Sequence, residues 1–78
     1  MKININYFAS LRETIGKGEI TLESSETTLT AAQVWTLSTG KTSFPDKILI
    51  AVNNEYVDLE TKVVDGDHVS FFPPVTGG

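Results

Sequence analysis

Apolar and polar residues alternate from the first residues of the chain: Ile3, Ile5 and Tyr7 fall on one parity, and Asn4, Asn6 and Phe8 on the other. Period two is the signature of a half-buried strand, so the isoleucines and Tyr7 are expected to face the core. Phe8 then either covers the other edge of the sheet or packs under the following loop, and loop packing is favoured over a binding role. Ala9 to Gly18 reads as a turn-forming connection, with Arg12-Glu13 at its centre and Gly16 and Gly18 as punctuation. The alternation resumes at Glu19-Ile20-Thr21-Leu22-Glu23, which predicts a hairpin of the first two strands.

After a polar break at Ser24 to Thr28 the signals become helical. Thr30 and Gln33 have capping-box spacing, Leu29 and Val34 are placed as a hydrophobic staple, and Thr28 is a rival cap. The helix is predicted to end near Thr39-Gly40, with Trp35 as its core anchor. Lys41 to Pro45 reads as a loop. Lys47 to Asn53 is a near-continuous apolar run, the pattern of a central strand buried on both faces. Asn53-Asn54 predicts a turn, Glu55-Tyr56-Val57 a short strand, Asp65-Gly66-Asp67 another turn, and His68 to Phe72 a last strand. In that strand Val69 and Phe71 point one way, and His68, Ser70 and Phe72 the other. Pro73 stops the ladder because it has no backbone donor. The order strand, strand, helix, strand, short strand, strand is the outline of an α+β, ubiquitin-like β-grasp domain. It predicts a mixed sheet of about five strands wrapped around one main helix, with an extended C-terminal tail.

Composition narrows the picture. Seventy-eight residues supply one core, so the expected division is a β-grasp domain over 1–73 and a flexible Gly-Gly tail over 74–78. There is no cysteine, which excludes disulfides, thiolate metal sites and a thiolate nucleophile. The N-terminal residues lack an apolar leader or membrane-length run, so a cytoplasmic protein with no membrane partner is expected. A net charge of −4 with scattered Lys and Arg argues against nucleic-acid binding. An acidic protein with an anionic working end fits a basic partner surface.

Side-chain chemistry is thin. His68 is the only histidine and has no second ligand at a usable spacing, so a metal site is not expected. Asp46, Asp58, Asp65 and Asp67 fall at turns, where aspartate caps the local backbone. The stretch Phe71-Phe72-Pro73-Pro74-Val75-Thr76-Gly77-Gly78 is different. Two prolines hold an extended exit, and two glycines without Cβ atoms let the backbone enter a channel closed to other residues. The chain is expected to end at Gly78, whose carboxylate is then free of shielding side chains. Coupling to a nucleotide phosphate would activate that carboxylate, and attack by a sulfur nucleophile would leave a thiocarboxylate.

Tyr7-Phe8-Ala9 with Arg12-Glu13, Ala51-Val52-Asn53, Asp65-Gly66-Asp67 and the final Phe71-to-Gly78 stretch together resemble the small subunits of molybdopterin synthase, which are ubiquitin-like sulfur carriers. The resemblance covers nearly the whole chain and is thinnest over Thr27 to Phe44. It implies that Gly78 is adenylated by a ubiquitin-activating-like enzyme using ATP, and then thiocarboxylated from a sulfur donor. The tail, Pro74, Val75, Thr76 and Gly77, would insert into the large subunit, where sulfur passes to a pterin precursor of the molybdenum cofactor. Phe72, Phe8 and Arg12 would contact the partners. By the same resemblance the chain works only as a subunit of a complex, with two copies of each subunit, and holds no permanent cofactor. Two alternatives remain at this stage: a carrier for thiamine synthesis, tRNA thiolation or protein conjugation, and a non-carrier interaction module of the same fold.

Overall fold

The computed structural model describes residues 1–45 and 47–74. The elements are β1 (Lys2–Tyr7), α1 (Ala9–Ile15), β2 (Glu19–Glu23), β3 (Leu29–Thr30), α2 (Ala31–Thr39), β4 (Leu49–Val52), β5 (Glu55–Val57), β6 (Lys62–Val63) and β7 (His68–Phe72). Five of the strands form a mixed sheet in the order β2-β1-β7-β4-β5, and β3 and β6 form a two-stranded ladder beside it. β1 and β7 run parallel at the centre, with Ile5 opposite Val69 and Tyr7 opposite Phe71. The other pairings in the large sheet are antiparallel. This is the predicted β-grasp.

The period-two reading of β1 holds to the residue: Ile3, Ile5 and Tyr7 are at most 1% exposed. They meet α2, the main helix, whose buried residues are Ala31, Val34 and Trp35. α2 starts as its spacing predicts, with Gln33 N–H donating to Thr30 Oγ1 at 3.1 Å and Thr30 N–H donating to Gln33 Oε1 at 2.8 Å. Thr28 is not the cap; its hydroxyl donates to the Val63 carbonyl. Trp35 packs edge-on to Phe71 at 5.1 Å and to Tyr7 at 6.2 Å, while Tyr7 stacks on Phe71 at 5.9 Å. The two polar atoms that this cluster buries are paired: Trp35 Nε1 donates to the Ser43 carbonyl, and the Tyr7 hydroxyl donates to Ser38 Oγ.

Two expectations are corrected. Residues 9–15 are a helix, α1, and not a turn-forming loop. Leu11 is buried and Ile15 half-buried one helical turn later, an i, i+4 pair that the neighbouring glycines obscured. Gly16 is the stop signal and not loop punctuation: at φ +84° it takes the left-handed conformation that ends the helix, and its N–H donates to the Arg12 carbonyl. The second correction concerns Lys47 to Asn53. The strand within it is only β4, and the centre of the sheet is β7. The apolar run is continuous because Ile50 faces the core while Leu49 and Ala51 lie on the other face of the sheet, where Ala51 is buried as well, at 7% exposure.

Replacing Trp35 with Ala should cost about 3–5 kcal/mol, a large share of the roughly 4–12 kcal/mol that holds a domain of this length. Urea unfolding would measure it, and Thr30→Ala, which removes only the cap, should cost about 1 kcal/mol. Burial raises the pKa of the Tyr7 phenol from its ordinary value of 10.0, against a smaller lowering by the Ser38 hydroxyl. The folded protein therefore keeps a proton that the unfolded chain releases. That stabilisation is complete below the ordinary value and is lost as pH rises through the folded one. Unfolding free energy should thus fall more steeply in alkali for the wild-type chain than for Tyr7→Phe.

Candidate functional site: an aromatic face at the root of the tail

The large sheet has one face under α2 and one face open. Alternation in β7 sends Val69 and Phe71 into the core and leaves Phe72 on the open face. Parallel pairing then decides where Phe8 goes. Phe8 N–H donates to the Phe71 carbonyl at 3.1 Å, which carries the β1–β7 ladder one residue past β1. The Phe8 ring therefore stacks on Phe72, with centroids 4.6 Å apart and planes 8° from parallel. It does not pack under the following loop. Phe8 is 39% exposed, so the pair presents an apolar surface and does not fill a core.

Two residues that sequence reasoning left unassigned complete this face. Tyr56 sits edge-on to Phe72 at 6.3 Å and is 73% exposed, and Leu49 lies opposite Phe72 in the β4–β7 register. With Phe8, Ala9, Pro73 and Pro74 they line one shallow hollow. A signal for Tyr56 was present in the chain: Asn53 and Asn54 form a two-residue turn with φ values of +51° and +72°, and that turn sets Ala51 opposite Tyr56. Pro74, the last described residue, leaves the fold from the same hollow. Val75, Thr76, Gly77 and Gly78 lie outside the described residues.

Arg12, the third expected contact residue, lies on α1 rather than in a loop, and its side chain is exposed. Its guanidinium crosses directly over Gly18: a Cβ there would be 2.6 Å from Arg12 Nε, so any larger residue at position 18 would displace it. Deeper in the open face, Asn6 Oδ1 is buried without a hydrogen-bond partner among the described residues, and it shares a hollow with Ser70 and His68.

The remaining candidates are structural. Asp58 caps Glu60 N–H and the Thr61 hydroxyl, Asp65 accepts from Lys2 N–H, and Asp67 accepts from Val64 N–H and Asn53 Nδ2. Asp46 lies outside the described residues. His68 is exposed, and no cluster of three or more His, Cys, Asp or Glu residues able to hold a metal ion occurs among the described residues. The face is an open apolar surface at the foot of the segment that follows it.

Fold and face together define a ubiquitin-like β-grasp protein with an exposed apolar surface at the base of its C-terminal segment. The chain belongs to the ThiS family, whose sequence model matches residues 5–78. It is 38% identical to the molybdopterin synthase sulfur carrier subunit of Haemophilus influenzae, an alignment that covers 97% of this chain and 99% of that one. Among solved structures it is similar to SAMP1 from Haloferax volcanii, with a TM-score of 0.84 over the whole of both chains at 22% identity. It is also similar, with a TM-score of 0.66 over the whole of both chains at 23% identity, to a chain in the complex of subunits 1 and 2 of the molybdopterin-converting factor from Helicobacter pylori. The two structural likenesses concern the fold.

The aromatic pair can be tested for direct coupling. A double-mutant cycle of Phe8→Ala and Phe72→Ala, read by urea unfolding, should give an interaction energy of about 0.5–1.5 kcal/mol. Additive losses would mean that the rings do not hold one another.

Proposed function

We propose that this chain is the sulfur carrier subunit of a molybdopterin synthase, and that its reactive group is the carboxylate of Gly78. One observation carries the reading: the open aromatic face lies at the foot of the C-terminal segment, in a chain similar along nearly its whole length to a protein of that name. The proposed chemistry requires no side chain of the described fold. An adenylating enzyme couples the Gly78 carboxylate to the α-phosphorus of ATP, releasing pyrophosphate. Hydrosulfide supplied by the sulfur donor then attacks the acyl carbon, AMP leaves with the electron pair of the acyl–phosphate bond, the S–H proton goes to solvent, and a thiocarboxylate remains. The carrier contributes reach and recognition: Pro74 and Val75 to Gly77 extend into the partner, and Phe8, Phe72 and Arg12 hold the domain at its mouth.

The partner that receives the tail is the large subunit, in an assembly of two copies of each chain. The complex of subunits 1 and 2 that contains the Helicobacter pylori neighbour supports such a pairing. The chain acts only within that complex and binds no permanent cofactor; ATP is consumed by the activating enzyme. Among the described residues no helix is long and apolar enough to cross a membrane, and the reading places the protein in the cytoplasm.

Incubation with ATP, an adenylating enzyme and a sulfur donor should replace one oxygen of the chain by sulfur, seen by intact mass and located at Gly78 by fragmentation. An unchanged mass with partners competent on another carrier would remove the reading. A variant with one residue appended after Gly78 should fold normally and take up no sulfur. Phe72→Asp should likewise fold, because the ring is on the open face, and should weaken binding to the large subunit by tenfold or more, about 1.4 kcal/mol.

A further inference from the structure

β1 places two asparagines, Asn4 and Asn6, on the open face of the sheet, because Ile3, Ile5 and Tyr7 take the core side. Only one of their side-chain carbonyls finds a hydrogen-bond donor among the described residues. Asn4 Oδ1 accepts from the hydroxyl of Thr21, its neighbour across the β1–β2 ladder, at 3.4 Å. Asn6 Oδ1 is buried and accepts nothing.

The register explains the difference. Across from Asn6 in β2 stands Glu19, whose ionised carboxylate has no proton to give. Beside it in β7 stands Ser70, whose hydroxyl makes no hydrogen bond to it. A buried acceptor left without a donor weakens the free domain. Leucine, the apolar side chain closest to asparagine in shape, would avoid that loss, so folding alone does not account for Asn6.

Its place on the surface does. Asn6 lines a hollow of about 350 Å³ whose walls include Phe8, Tyr56 and Phe72. The same three rings line the hollow at the root of the tail, so a surface that closes on the tail root also closes over Asn6. Phe8 and Tyr56 are 39% and 73% exposed, which leaves their rings room to turn aside as that surface arrives.

Resting on the carrier reading above, we propose that Asn6 is a specificity-determining acceptor for the large subunit, whose docking over the three rings seats an N–H or O–H donor on Asn6 Oδ1. The rings accept any apolar surface of fitting shape, whereas the buried acceptor rejects one that lacks the donor. Inside a patch emptied of water, a polar group left unpaired on either side is penalised heavily, which is how such a contact discriminates. The acceptor costs the free domain stability and returns it as selectivity in the complex.

The test follows the Asn6 side-chain carbonyl carbon by NMR in the isotope-labelled full chain as unlabelled large subunit is added. In the free chain the signal should lie where an amide carbonyl without a hydrogen bond resonates, and binding should move it downfield. Asn6→Leu should require more urea to unfold than wild type, yet bind the large subunit about tenfold or more weakly. Ser70→Ala should leave the Asn6 signal of the free chain in place. The inference alone would be overturned by an Asn6 signal that stays put in a complex that does form, by a free-chain signal that depends on Ser70, or by an Asn6→Leu chain that is less stable or binds undiminished. Failure of the wild-type chain to bind the large subunit would overturn the functional reading and this inference with it.

Discussion

The parallel pairing of β1 with β7 is the constraint on which the rest of this small protein depends. It sets Ile5 beside Val69 and Tyr7 beside Phe71 under Trp35, which forms the centre of the core. Prolonged by one hydrogen bond, from Phe8 N–H to the Phe71 carbonyl, it also sets Phe8 against Phe72 on the other side of the sheet. Core and open aromatic face are thus two sides of one ladder. A one-residue slip would exchange them, burying Phe72 and exposing Phe71, so the hydrophobic pattern that folds the domain also fixes the surface it presents.

β7 carries the second consequence. Its last residue belongs to the aromatic face, and the two prolines after it end the ladder and lead out from that face. A domain docked through Phe8, Phe72 and Tyr56 therefore delivers whatever follows Pro74 to a fixed point on its partner. On the proposed reading the fold would serve as a grip, and the chemistry would belong to backbone atoms beyond it.

Where a single local rule decided the structure, the chain was legible. Alternation placed Ile3, Ile5 and Tyr7 in the core and Phe72 outside it, and the Thr30–Gln33 spacing offered the cap that α2 uses, with Thr28 as its rival. Reading failed where two rules competed. Around α1, flanking glycines outweighed the Leu11–Ile15 helical pair. At Lys47 to Asn53, continuous apolarity looked like centrality, whereas its source is a second, outward apolar face shared with Phe8 and Phe72. The partners of Phe8 could not be read locally at all, because they come from a strand sixty-four residues away in Phe72.

The claim that matters most is that the domain is a handle for a sulfur-bearing terminus. The direct measurement supplies purified large subunit and a pterin precursor with this chain in two forms, thiocarboxylated and unmodified, and follows dithiolene formation. The account predicts product with the thiocarboxylated chain alone, in proportion to the carrier consumed. Equal product from the unmodified chain, or none from the thiocarboxylated one, would contradict it.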